Sequence, residues 1–284
     1  MAFDDAYDAL TDHEDDTRWA YGTGFADPMA GVAQEIPDGV DAAALTAYCL
    51  MLGDDALILS HRLQEWVTRA PELEDEVAVA NVALDLLGQA RLLLTRAGQA
   101  EGKDRGEDDL AYHRDAAEFR NVLLAERADA DFAHLVVRLL VFATWRLAVL
   151  DRLTAAPDPV LAAIAAKGVK ELAYHREYAA GWVVRLGDGT DLSHRRAQDA
   201  VDAIWPLLGE LFAPDGTGLG PDPAAVRAEF DQVIDQVLTA ATLRRPASAP
   251  GPAGRGRDGE HTGALTGILA ELQGLARAIP DGVW

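Results

Sequence analysis

Hydrophobic positions along this chain recur at spacings of three and four, the period of an α-helix that buries one face. Residues 158 to 186, DPVLAAIAAKGVKELAYHREYAAGWVVRL, show the pattern most fully, with Leu161, Ile164, Val169, Leu172, Ala173, Ala179, Val183 and Leu186 on the apolar side. Asp158 supplies an N-cap acceptor ahead of Pro159, whose missing N–H costs nothing at a first helical position, and Gly187 supplies the stop. Upstream, Asp41 opens an amphipathic helix predicted to run to Thr68, with Gly53 inside it as a point of close packing or bending. A second helix is predicted from Ala70-Pro71 to about Ala97; it is apolar nearly all round, which points to a central position. Asp129 or Asp131 caps a third, FAHLVVRLLVFATWRLAVLDRL. Beyond the organising helix, Ser193 to Phe212 forms a fifth that Pro206 should kink, Asp222-Pro223 starts a sixth, and Ala264 to Ala278 makes a last short one.

No strand pattern interrupts this series, so the fold class is all-α. Residues 98–117 are charged and contain glycine, and read as a long surface connection between helix pairs. Residues 245–262, rich in Pro, Gly and Arg, read as an extended or mobile loop. Residues 1–38 are acidic and broken by Gly22, Gly24, Pro28, Gly31 and Pro37, which marks a mobile N-terminal extension; Trp19, Tyr21 and Phe25 leave room for it to wrap a partner. Residues 39–284 then form one helical domain.

Charge changes this picture. The formal net charge is −22, from 47 acidic residues against 25 basic ones, and only Lys103, Lys167 and Lys170 are lysines. Such a surface repels phosphate backbones and coenzyme A, so nucleic acid is excluded as a partner. It also predicts stability that rises with salt, as in a salt-rich cytoplasm, where screening removes self-repulsion. A single cysteine, Cys49, in an apolar setting excludes an internal disulfide framework and a cysteine-based zinc site. No uninterrupted run of eighteen apolar residues occurs and the N-terminus is acidic, so the expectation is a soluble, untargeted cytoplasmic protein with no membrane partner.

The polar residues that the helical period turns inward bear on chemistry. Asp54 and Asp55 are adjacent and point in different directions, so one is expected in solvent and the other, Asp55, inside. Asn81 and Asp85, four apart, suggest a buried polar seam. A di-iron carboxylate centre takes a Glu from each of four helices and a histidine three residues after two of them. Here Asp55, Asp85 and Glu171 occupy the inward positions, but Gly88 and Tyr174 stand where the histidines belong, and the third helix has no acid in its middle. Three carboxylates and a phenol leave most coordination positions of two metals unfilled. His175 could join Glu171 as a ligand or serve as a hydrogen-bonded core residue. His61 and Glu65 read as a solvated ion pair; Tyr48, Tyr112, Tyr174 and Tyr178 read as core aromatics. Cys49 lacks the basic neighbours of a nucleophile. No catalytic set is complete.

The blocks LGDDALILSHRLQEWVTRAPELE, ANVALDLLGQARLLL, LAAIAAKGVKELAYHREYAAGWVVRLGDGTD and GEHTGALTGILAELQGL resemble the structural C subunit of phenylacetyl-CoA epoxidase complexes, over roughly residues 44 to 284. That resemblance implies a ferritin-like four-helix bundle with additional C-terminal helices and a degenerate metal site at Asp55, Asp85, Glu171, Tyr174 and His175. It implies no catalytic residue and no cofactor in this chain. The di-iron centre would belong to a homologous catalytic subunit, with a small bridging subunit and a reductase carrying NADPH, flavin and iron–sulfur groups as further partners. Aerobic phenylacetate degradation would be the pathway. A self-sufficient ferritin-like di-iron oxidase and a helical adaptor unrelated to oxygenation are the alternatives.

Overall fold

The computed structural model describes residues 29–247, 254–280 and 282. Four long helices dominate: α1 (Ala42–Gln64), α2 (Leu73–Glu101), α5 (Phe132–Leu153) and α6 (Pro159–Gly187). Shorter helices α3 (Glu107–Tyr112) and α4 (Leu123–Glu126) lie in the connection between the two long pairs; α7 (Asp191–Ile204), α8 (Leu208–Leu211), α9 (Pro223–Ala240) and α10 (Gly263–Ala278) follow. No strand occurs among the described residues, which agrees with the all-α expectation. The helices begin where short polar side chains can satisfy free amides: Asp41 accepts from Ala44 N–H, Asp131 from His134, Asp158 from Leu161, and Asp222 from Ala224.

Helices α1 and α2 pack extensively on one another, as do α5 and α6, and α2 against α6 joins the two pairs. Their shared interior is filled by leucine, valine, isoleucine and alanine, with Phe142 among them; Leu45, Leu59, Leu86, Leu93, Ile164 and Leu172 are typical members. By length and composition α1, α2 and α5 are each apolar enough to cross a membrane, although no unbroken apolar run signals it. The burial of α5 accounts for its composition, since 94% of its most apolar window is inside the protein. For α2 the share is 50%, and most of the rest of that stretch, including Leu87 and Leu92, is half-buried.

Several boundaries differ from expectation. Helix α1 stops at Gln64 instead of Thr68, and α2 starts at Leu73 and runs on to Glu101, where Gly102 in a left-handed conformation (φ 68°) ends it. Residues 98–117 are not merely a surface connection: α3 lies within them, and Leu110, Ala111 and Arg114 are buried. The predicted kinked helix around Pro206 is instead broken, with Trp205–Leu207 as a 3-10 turn between α7 and α8. Val32, Ile36 and Val40 pack against the core, the first two ahead of the boundary predicted at residue 39. Trp19, Tyr21 and Phe25, expected to wrap a partner, lie outside the described residues.

Candidate functional site

Polar side chains of α2, α5 and α6 and one backbone carbonyl of α1 meet between the four long helices. Helices α2 and α6 run antiparallel, so each turn of one faces a turn of the other. His175 Nε2 is 3.0 Å from Asp85 Oδ2, and one turn along Gln89 Nε2 donates to Glu171 Oε2 at 2.9 Å. Lys167, a turn before Glu171, closes on its other oxygen. From α5, Arg146 donates through Nε to Gln89 Oε1 at 2.9 Å and through Nη1 to the Leu52 carbonyl of α1 at 3.0 Å. Arg146 is fully buried; burial pushes its pKa down to about 10, against the pull of the Asp55 carboxylate, so its charge sits in a poor solvent. A single guanidinium, with Gln89 as its relay to Glu171, therefore ties all four helices together at their centre.

The expected metal positions are spoken for differently. Asp54 and Asp55 are both fully buried, against the expectation that one is solvated. Asp54 pairs with Arg114, which also donates to its Oδ2 at 3.0 Å, and accepts from the Arg120 amide at 2.8 Å. Asp55 accepts from the Val122 amide at 2.8 Å and from both terminal nitrogens of Arg257, at 3.0 and 2.7 Å. Glu126 takes the Thr262 amide at 2.7 Å and His261 Nδ1 at 2.8 Å, and Glu210 takes the Gly256 and Leu123 amides, each at 2.7 Å. Four buried carboxylates thus clamp residues 114–126 and 254–262 onto the bundle. The expected loose loop is pinned over 254–262; residues 248–253 lie outside the described residues.

Other sequence-based roles move as well. Tyr174 is exposed, not a core aromatic, and meets His175 edge-on. Asn81 is exposed, so the seam runs through Gln89 and Asp85 instead. His61 faces Glu271 at 3.5 Å, while Glu65 pairs with Arg62. Cys49 is buried, and burial pushes its thiol up to about 12, far from a reactive thiolate. Asp55, Asp85, Glu171 and Tyr174 do not converge, and among the described residues no cluster of three or more His, Cys, Asp or Glu has an arrangement suited to a metal. The donor set does not fit a di-iron centre: each carboxylate is already engaged by another side chain, and Arg146 puts positive charge where cations would have to sit. Gln89, Arg146 and Lys167 are the members that spacing arguments miss. An arginine amid FATWRLAV is the available signal.

A family profile described as "Phenylacetic acid catabolic protein" matches residues 31–284. The chain belongs to this family. Among curated relatives it is similar to the C subunit of 1,2-phenylacetyl-CoA epoxidase from Escherichia coli (strain K12), with 42% identity over 247 residues, covering 84% of this chain and 99% of the relative. Family membership therefore spans all four long helices, including Asp55, Asp85, Arg146 and Glu171.

Proposed function

We propose that this chain is a non-catalytic structural subunit of a phenylacetyl-CoA ring 1,2-epoxidase, working in aerobic phenylacetate degradation in the cytoplasm. In this reading it is a ferritin-like bundle whose centre holds a salt-bridged and hydrogen-bonded polar network in place of metal. The relative's designation as the C subunit of such an epoxidase supports the assignment to a complex. The observation that carries the non-catalytic part is Arg146, fully buried and bonded to Gln89 and Leu52 of the neighbouring helices.

The partner is then a homologous subunit that carries the di-iron centre, with electrons from NADPH delivered by a separate flavin and iron–sulfur reductase and a small bridging subunit completing the assembly. When bound in that partner, the iron centre supplies oxygen activation. This chain's own residues hold shape: Arg146 fixes the spacing of four helices, and the carboxylates Asp54, Asp55, Glu126 and Glu210 lock the C-terminal segment and the 114–126 connection across them. The test is reconstitution with the iron-bearing subunit. Epoxidation of phenylacetyl-CoA should require both chains and survive Glu171→Gln and Tyr174→Phe here; loss of turnover with bound substrate and iron intact would contradict the reading.

A further inference from the structure

A cavity of about 270 Å³ lies between α1, α5, residues 211–223 and residues 254–258, away from the Gln89–Arg146–Glu171 network. Its walls include Met51, Leu52, Trp145, Val149 and Val226, all buried. A void of about 150 Å³ accepts benzene, so this one has room for a substituted ring. Apolar walls around a few polar groups are the usual composition of a small-molecule pocket.

The polar groups left without partners select the ligand. Arg257 lines the cavity, but its terminal nitrogens are held by Asp55. Arg255 pairs with Asp258 at 3.4 Å and Glu260 at 3.1 Å, and the two oxygens of Glu210 each take a backbone amide. Three groups remain. The Tyr48 hydroxyl and the Trp145 indole N–H belong to residues only 4% exposed, and neither has a hydrogen-bond partner. Neither is among the sealed orphan atoms of the interior, such as Thr144 Oγ1 and Arg146 Nη2, so both open into the space they line. Asp215 accepts from the Thr217 amide at 2.7 Å and from its hydroxyl, both through Oδ1, which leaves Oδ2 free. Burial first, and then the Asp215 carboxylate, push the Tyr48 pKa up against the pull of Arg257 and Arg146, so the phenol stays protonated.

We infer that this cavity binds a small neutral alcohol or phenol, with its apolar body against Met51, Trp145 and Val149 and its hydroxyl among Tyr48, Trp145 and Asp215. One hydroxyl accepts two hydrogen bonds and donates one, which matches two free donors and one free acceptor. An ammonium group satisfies Asp215 but accepts nothing, and it leaves the indole N–H unpaired. A carboxylate accepts from Tyr48 and Trp145 but faces Asp215, and both arginines at the cavity are already paired. The inference concerns this chain alone and stands apart from its place in a complex.

The experiment titrates benzyl alcohol into the full chain carrying carbon-13 methionine methyls. The sequence has three methionines, Met1, Met29 and Met51, and a saturable shift is expected at Met51 alone. Tyr48→Phe and Asp215→Asn should each weaken binding about 10-fold, the size of one lost hydrogen bond. Thermal melts establish that the variants are folded; Asp215 lies on a partly exposed loop, so its variant decides the matter if Tyr48→Phe does not fold. Benzylamine and benzoate, of the same size but charged, should bind more weakly than the alcohol. No saturable shift at Met51, a shift at Met1 or Met29 in its place, or equal affinity in wild type and the folded variants overturns the inference. So does tighter binding of either charged analogue.

Discussion

Arg257 reaches back across 202 positions of sequence to hold both carboxylate oxygens of Asp55, at 3.0 and 2.7 Å. Asp55 has no exposure, and Arg257 also donates to the carbonyls of Met51 and Arg120, so one C-terminal side chain joins α1 to the segment that precedes α4. Truncating Arg257 to Ala leaves a buried carboxylate without its cation, and the expected loss is about 3–5 kcal/mol of unfolding free energy. Denaturant titration checks it. Asp55→Asn together with Arg257→Met should recover much of that loss, since both charges then leave.

Arg146 makes the opposite case. Burial disfavours its charge, and its Nη2 has no hydrogen-bond partner among the described residues. Arg146→Met keeps most of the volume and removes the charge, so the loss of bonds to Gln89 and Leu52 is largely offset and stability should change by no more than about 1 kcal/mol. Arg146→Ala leaves a cavity and should cost about 3–5 kcal/mol. Urea unfolding of the two variants separates packing from charge at the centre of the bundle.

His261 and Glu126 tie the C-terminal segment down in a way that depends on pH. Burial pushes the Glu126 carboxyl up, but bonds from His261, Thr262 and Asn121 outweigh it and hold the group below its ordinary 4.5. Burial pushes His261 down, and Glu126 with the Phe119 carbonyl more than reverses this, so its pKa lies above 6.5. The lowered Glu126 contributes stability above 4.5 that is lost as pH falls through its depressed value. The raised His261 contributes stability below 6.5 that is lost as pH rises through its elevated value. Wild type should therefore exceed His261→Gln most between pH 4.5 and 6.5, by roughly 1–3 kcal/mol, and the advantage should shrink on either side. Thermal melts of both across pH provide the check, and a constant difference would contradict an ion pair.

Two glycines on the same pair of helices should respond oppositely to alanine. At Gly187 a Cβ would lie 2.2 Å from the Ala241 carbonyl oxygen, a backbone atom that cannot step aside, so Gly187→Ala should destabilise by about 1–3 kcal/mol. At Gly88 nothing is within 4 Å, and Gly88→Ala should stabilise the free chain by roughly 0.5–1 kcal/mol. Paired melting curves decide it.

How much of this is legible in the sequence follows from the range of each interaction. Helix starts are readable because Asp41, Asp131, Asp158 and Asp222 cap amides only two or three residues away. The inward direction of Asp55 and Glu171 is readable from helical period. Their partners are not: Arg257 lies far along the chain in a segment whose Pro and Gly content looks mobile, and it is the buried carboxylates Asp55, Glu126 and Glu210 that fix it. Asp54 looks solvent-bound because its partner, Arg114, sits in a stretch too charged to suggest burial. His175 does lie on the buried side of α6, but its contact is Asp85 across the interface, not Glu171 a turn away. A one-helix view favours the i, i+4 neighbour, whereas the antiparallel register of α2 and α6 pairs 85 with 175 and 89 with 171.

The most direct measurement is iron content per chain, taken on this chain expressed alone in iron-rich medium and again in complex with the iron-bearing subunit proposed as its partner. With Arg146 at the centre and Asp55, Asp85 and Glu171 each engaged by another side chain, the account predicts a colourless isolated chain and, in the complex, iron held by the proposed partner subunit alone. Stoichiometric iron in the isolated chain, lost on Asp55→Ala or Glu171→Ala, would contradict it.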